Sequence, residues 1–194
     1  MRKFMKLAGV PLLALVAACS SPEYYLLPPP TEAPTKLASP VRTISVSEIS
    51  LPSYAEAIEM AVVTDQGAVE LDSSASWADT PRRGLTRHLV AALGTRLTAQ
   101  VGAEPWPGLD RPGLQVSVLT DRLIGNESGS LEFSGQYIVT DPDSGRIFAS
   151  ERFDIRTAVP VSGFEGIAAA HARAVELLAD DIAARISGTP RPAT

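Results

Sequence analysis

Apolar residues along this chain fall into two periodicities, separated by turn-forming clusters. Ile44 and Val46 alternate with polar neighbours, and the Leu51-Pro52-Ser53-Tyr54 break follows. Ile58, Met60 and Val62 alternate next, Asp65-Gln66-Gly67 supplies a turn, and Val69 and Leu71 resume the alternation. A period of two marks a half-buried strand, so this stretch predicts a hairpin. Leu85, Leu89, Leu93 and Leu97 then recur every four residues with Ala92 beside them, one apolar face of a helix. Asp79-Thr80-Pro81 opens that helix with a capping residue before a first-turn proline, and Arg82, Arg83, Arg87 and Arg96 are assigned to the remaining arc. The helix is expected to fade by Val101-Gly102. Three further strands are predicted around Leu114–Val118, Leu131–Val139 and Ile147–Ile155, divided by Gly125–Gly129 and Asp141–Gly145. A second helix follows from about Gly163 to Ile186, striped by Phe164, Ile167, His171, Val175, Leu178, Ile182 and Ile186. The order hairpin, helix, meander, helix has the look of two similar halves. The pattern predicts one α+β domain over residues 41–187: an antiparallel or mixed sheet of about five strands with two helices packed on one face. Residues 188–194 read as a flexible tail.

The N-terminus has a different grammar. Arg2, Lys3 and Lys6 precede the uncharged apolar stretch Leu7–Ala18, too short for a spanning helix of about 20 residues but suited to a secretory signal. It ends at Val16-Ala17-Ala18-Cys19, small residues against a cysteine. That arrangement resembles the lipobox of bacterial lipoproteins, which implies cleavage after residue 18 and lipid on Cys19. Cys19 is the one cysteine of the chain, so the domain must hold itself together by its core rather than by an internal disulfide. Two or more acyl chains would anchor it stably. Ser20, where an aspartate would favour inner-membrane retention, points to the inner leaflet of the outer membrane, facing the periplasm.

Residues 19–40 contain Pro22, Pro28, Pro29, Pro30, Pro34 and Pro40, and read as a lipidated tether in extended conformation. Such a tether of about 20 residues would reach roughly 60 Å. Glu23-Tyr24-Tyr25-Leu26-Leu27 is too apolar for a solvated leash; it either docks on its own domain as an edge strand or binds a partner.

Charge and chemistry narrow the function. The net charge is −5, and losing the three basic leader residues makes the remainder more acidic, which argues against nucleic acid. His88 and His171 each stand alone on a predicted helix, without a second ligand at metal spacing. No serine lies in a nucleophile-elbow setting, and Asp141 and Asp143 belong to a turn. The sequence therefore offers no catalytic residue, no metal site and no cofactor. Trp77 and Trp106 bracket the first long helix, where indoles either staple an element or face a partner.

In order and spacing, Tyr24-Tyr25-Leu26-Leu27, Leu51-Pro52-Ser53-Tyr54, Trp77-Ala78-Asp79 and Glu104-Pro105-Trp106 resemble the ABC-type transport auxiliary lipoproteins, the PqiC-like intermembrane transport family. The resemblance covers about residues 24–186. It departs after Trp77, where Ala78-Asp79-Thr80-Pro81 replaces the commoner Ala-Glu-Pro-Leu. The resemblance implies a non-enzymatic accessory of a system that moves lipid between the envelope membranes. Its partners would be an MCE-domain protein and an ABC permease and ATPase, and it could also assemble as a homo-oligomer. Trp77, Trp106, Tyr24 and Tyr25 are the candidate partner-binding residues, and Cys19 the lipidation site. The alternatives are a structural lipoprotein of a secretion or outer-membrane assembly machine and, less favoured, an envelope hydrolase.

Overall fold

The structure, a computed structural model, describes residues 21–33, 35–127 and 129–188. Cys19 and most of the expected tail lie outside them. The elements run β1 (Glu23–Tyr25), β2 (Thr43–Val46), α1 (Ser53–Glu56), β3 (Glu59–Val63), β4 (Val69–Trp77), α2 (Pro81–Arg96), β5 (Gln100–Ala103), β6 (Leu114–Gly125), β7 (Ser130–Thr140), β8 (Ile147–Ala158) and α3 (Phe164–Ser187).

The long strands β6, β7 and β8 form the expected antiparallel meander. Leu131, Phe133, Tyr137 and Val139 on β7 are fully buried, and their cross-strand partners put Val116, Val118 and Leu123 of β6 and Ala149 and Ile155 of β8 on the same face. Both long helices share a single core with that face. The opposite face is polar: Glu132 pairs with Arg122 at 2.6 Å and Arg156 at 3.4 Å, and Gln136 donates to Ser150 at 2.8 Å. One dry and one wet face is the usual state of an antiparallel sheet covered by helices on one side.

β7 occupies one side of β6 along its length. The other side is shared: β2 pairs in parallel with Leu114–Val116, Ser50 bridges Leu119, and Val62 of β3 meets Gly125. A bulge at Asp121 separates these regions, opposite Gly135. A Cβ at Gly135 would overlap the Leu119 carbonyl oxygen, so the close approach there requires glycine.

The sheet has eight strands rather than about five. Two of the additional strands, β1 and β5, are three and four residues long and pair in parallel at opposite edges, β1 with β4 and β5 with β2. β1 lies in the apolar Glu23–Leu27 stretch, for which an edge strand is one of the two readings, whereas β5 falls where the fading end of the helix is expected. The expected fading of the helix near Val101 is corrected accordingly: α2 stops at Arg96, and Gln100–Ala103 is strand. In the first hairpin Met60 and Val62 are buried while Val69 and Leu71 are 46% and 49% exposed. The pairing explains this, because Met60 and Val62 sit opposite Asp72 and Glu70, leaving Val69 and Leu71 on the other face.

The helices also differ from simple stripes. Thr80 caps α2 without a side-chain bond; the Asp79 carboxylate instead takes the Thr80 amide at 2.8 Å and the Arg83 guanidinium at 2.9 Å. α3 is buried well beyond one stripe, its alanines allowing close approach on several sides, and ends at Gly188 in the left-handed region. Arg96, read as part of the solvent arc, is only 6% exposed. Its guanidinium lies between α2 and α3, bonded to Asp180 and the Ala92 carbonyl and 3.9 Å from Glu176.

Candidate functional site: a cavity beneath the N-terminal strap

The proline-rich segment read as a leash is in large part laid across the domain. β1 pairs with Ala75–Trp77, the docking alternative for this apolar stretch. Beyond it the chain crosses the helix layer: Leu27 packs on the core, and the Thr31 amide donates to the Glu176 carboxylate at 3.0 Å. Lys36 Nζ then donates to the Gly94 carbonyl at 2.6 Å, and Leu37 bridges Leu97. Proline rigidity suits such a strap, since an extended chain with few donors loses little on being laid flat. Glu176 is its buried fastening, held also by Arg173 at 3.2 Å and by Arg96.

Under the strap lies a cavity of about 290 Å³. Tyr25–Pro30 form its roof, Gly84, Leu85 and His88 of α2 one wall, and Tyr54, Ala57 and Ala61 another. Leu123, Trp77 and His171 also line it, and Asp79, Glu59 and Arg87 are its charged members. The two histidines, isolated in the sequence, thus meet at one cavity from different helices. Burial disfavours the charged form of both. Burial pushes the His171 pKa down to about 4, and its Nδ1 donates to the Ile167 carbonyl at 2.8 Å. Burial also lowers the His88 pKa, against a smaller opposing pull from Glu176. Their role is that of polar groups in an apolar wall, with no carboxylate or serine among the described residues bonded to either ring.

Trp77 stands edge-on to His171, ring centres 5.0 Å apart at 75°, and Tyr25 packs on Phe164 at 6.1 Å. These two candidate residues come together at the cavity. Tyr24, on the other side of β1, is 66% exposed. Trp106 lies elsewhere, half-buried in a crevice with Glu48, Arg83, Arg87 and Glu104, its ring covering Gly102 and Gly108. Arg87 borders both the crevice and the cavity. Among the described residues no group of three or more His, Cys, Asp or Glu is placed to hold a metal ion, and no helix is long and apolar enough to cross a membrane.

The model of the ABC-type transport auxiliary lipoprotein component matches residues 24–183, from the strap's first tyrosines to the last turns of α3. The chain belongs to this family. As an auxiliary lipoprotein component it is a lipoprotein associated with an ABC transport system, which places it in the cell envelope. Two crystal structures share the fold. One, of an uncharacterised protein, has a TM-score of 0.69 at 18% identity, covering 86% of this chain and 99% of its own. The other, from Xanthomonas campestris, has a TM-score of 0.66 at 15% identity, covering 86% and 96%. No curated protein matches this auxiliary lipoprotein in sequence.

Proposed function

We propose that the protein is an outer-membrane-anchored periplasmic lipoprotein acting as a non-catalytic accessory of an ABC/MCE-type system that moves lipid between the envelope membranes. The family match over residues 24–183 supports the accessory role. The observation that bears on the anchoring is where the fold begins. β1 starts at Glu23, four residues after Cys19. At about 3.5 Å per residue, that span is at most roughly 14 Å. A lipid on Cys19 would hold the domain close to the membrane surface, with β1 and the strap nearest the anchor. The long leash of the extended reading is thereby shortened to a few residues. An MCE-domain partner would then meet the lipoprotein at the membrane, where tethering raises local concentration and modest contacts suffice. Tyr24 and Trp106 are the aromatic candidates for that contact, because Trp77 and Tyr25 already pack on His171 and Phe164.

The test is co-purification of the tagged lipoprotein with the MCE-domain and permease proteins from the host envelope. Recovery of both, reduced at least tenfold by Tyr24→Ala with Trp106→Ala while the melting midpoint holds, is the expected result. A lipoprotein recovered instead with a secretion or assembly complex and without an MCE protein would overturn the reading.

A further inference from the structure

Nothing in the family match assigns a role to the cavity under Tyr25–Pro30. We propose that it is a binding site for a single acyl chain. Its volume is about 290 Å³. At about 30 Å³ for each water-sized group, the space accepts roughly ten such groups, the scale of one acyl chain. The lining is mostly aliphatic and aromatic, as in sites for apolar ligands, with Leu27, Pro28, Ala61, Trp77 and Leu85 among its residues. Burial lowers the pKa of both imidazoles and so favours their uncharged forms beside a hydrocarbon chain. At the edge, Asp79 is engaged by Arg83, while Arg87 is exposed and in no ion pair among the described residues; Glu59 is the remaining charged residue of the lining.

Two sources can supply such a chain: a free lipid or fatty acid, or the lipid of Cys19 itself, six residues before the roof begins at Tyr25. Only the second source rests on the lipoprotein reading above. Six residues span at most about 21 Å, so a chain attached at Cys19 reaches the cavity.

The chain holds two tryptophans, of which Trp77 lines the cavity, so a full-length protein with Trp106→Phe reports on the cavity alone. The probe is bromodecanoate, whose bromine quenches indole fluorescence on contact. It is titrated into the Cys19→Ala, Trp106→Phe protein and into the lipidated Trp106→Phe protein in a lipid nanodisc. The blocking variant is Gly84→Leu. Gly84 is a helical residue at the cavity wall whose added Cβ would meet only Leu27 Cδ1, at 4.0 Å. Leucine is also the better helix former, so this variant is expected to melt no lower than the parent. Saturable quenching in the Cys19→Ala protein, lowered at least tenfold in affinity by Gly84→Leu, is the predicted result. Equal quenching in the lipidated protein identifies a free chain as occupant; quenching abolished there identifies the protein's own lipid. Quenching that does not saturate, or that Gly84→Leu leaves unchanged, would overturn the acyl-chain site and leave the transport reading intact.

Discussion

Arg96 and Glu176 carry the largest electrostatic stakes in the molecule, because their side chains are 7% and 5% exposed and lie between the two long helices. Removing Arg96 leaves Glu176 to the more exposed Arg173, and losing one member of a buried ion pair costs about 3 kcal/mol. Arg96→Ala is expected to lose about that much in urea unfolding, whereas Arg83→Ala, 62% exposed, should change stability by less than about 0.5 kcal/mol. Equal effects would show that the interhelical cluster is not a structural clasp. The position of Arg96 is legible in the sequence, since it lies four residues after Ala92 and three after Leu93, on the apolar arc. Its charge argues for solvent and masks that position; the carboxylates that neutralise it come from α3, eighty and eighty-four residues along. His171 makes a second prediction. Its folded pKa, about 4, lies below the unfolded value of about 6.5. The unfolded chain therefore binds the extra proton between those values, and stability falls as pH drops from about 6.5 to about 4. The loss attributable to this one residue is on the order of 3 kcal/mol. Unfolding free energies measured across that range should slope less steeply in His171→Phe than in the parent; parallel slopes would refute the assignment.

At the scale of elements, the long strands and both long helices are legible because each presents several turns or pleats of regular alternation. The meander β6–β8 and α3 follow the pattern of their residues nearly to the end. One edge of the sheet, β1, is offered by the apolar Glu23–Leu27 stretch, but the other edge, β5, and the course of the strap beyond Leu27 do not announce themselves. Three- and four-residue strands such as β1 and β5 form because a partner edge is there to receive them, and nothing local in Gln100–Ala103 says that β2 will be adjacent. Prolines likewise specify extended chain without saying whether it hangs free or lies on a surface; here Leu27, Thr31 and Leu37 decide the matter. The bulge of β6 offers a test of the sheet itself. Gly135→Ala places a methyl group against the Leu119 carbonyl, backbone against which nothing flexible can yield. The variant should lose roughly 2–3 kcal/mol or fail to fold, while Gly94→Ala, with open space at its Cβ, should be neutral or slightly stabilising. If both alanines are tolerated equally in thermal melts, the close approach at the bulge is not structurally required.

For the molecule as a whole, the family and the α+β class are legible in the amino-acid sequence, through motifs whose order survives along most of the chain. The cavity is not. Its lining is gathered from the strap, α1, α2, β3, β4, β6 and α3, and only the packed fold brings His88 and His171 to one cavity or lays Leu27 over Gly84. The central claim concerns the other end of the strap, where a lipid on Cys19 holds the domain at the outer membrane within a few residues of β1. The measurement that tests it most directly is fractionation of Cys19→Ala in a strain lacking the transport partners, compared with the parent protein in the same strain. The account predicts that the parent sediments with outer membranes and that the variant, where its leader is cleaved, appears in the soluble periplasmic fraction. A leader-cleaved Cys19→Ala protein that still sediments with outer membranes would contradict it.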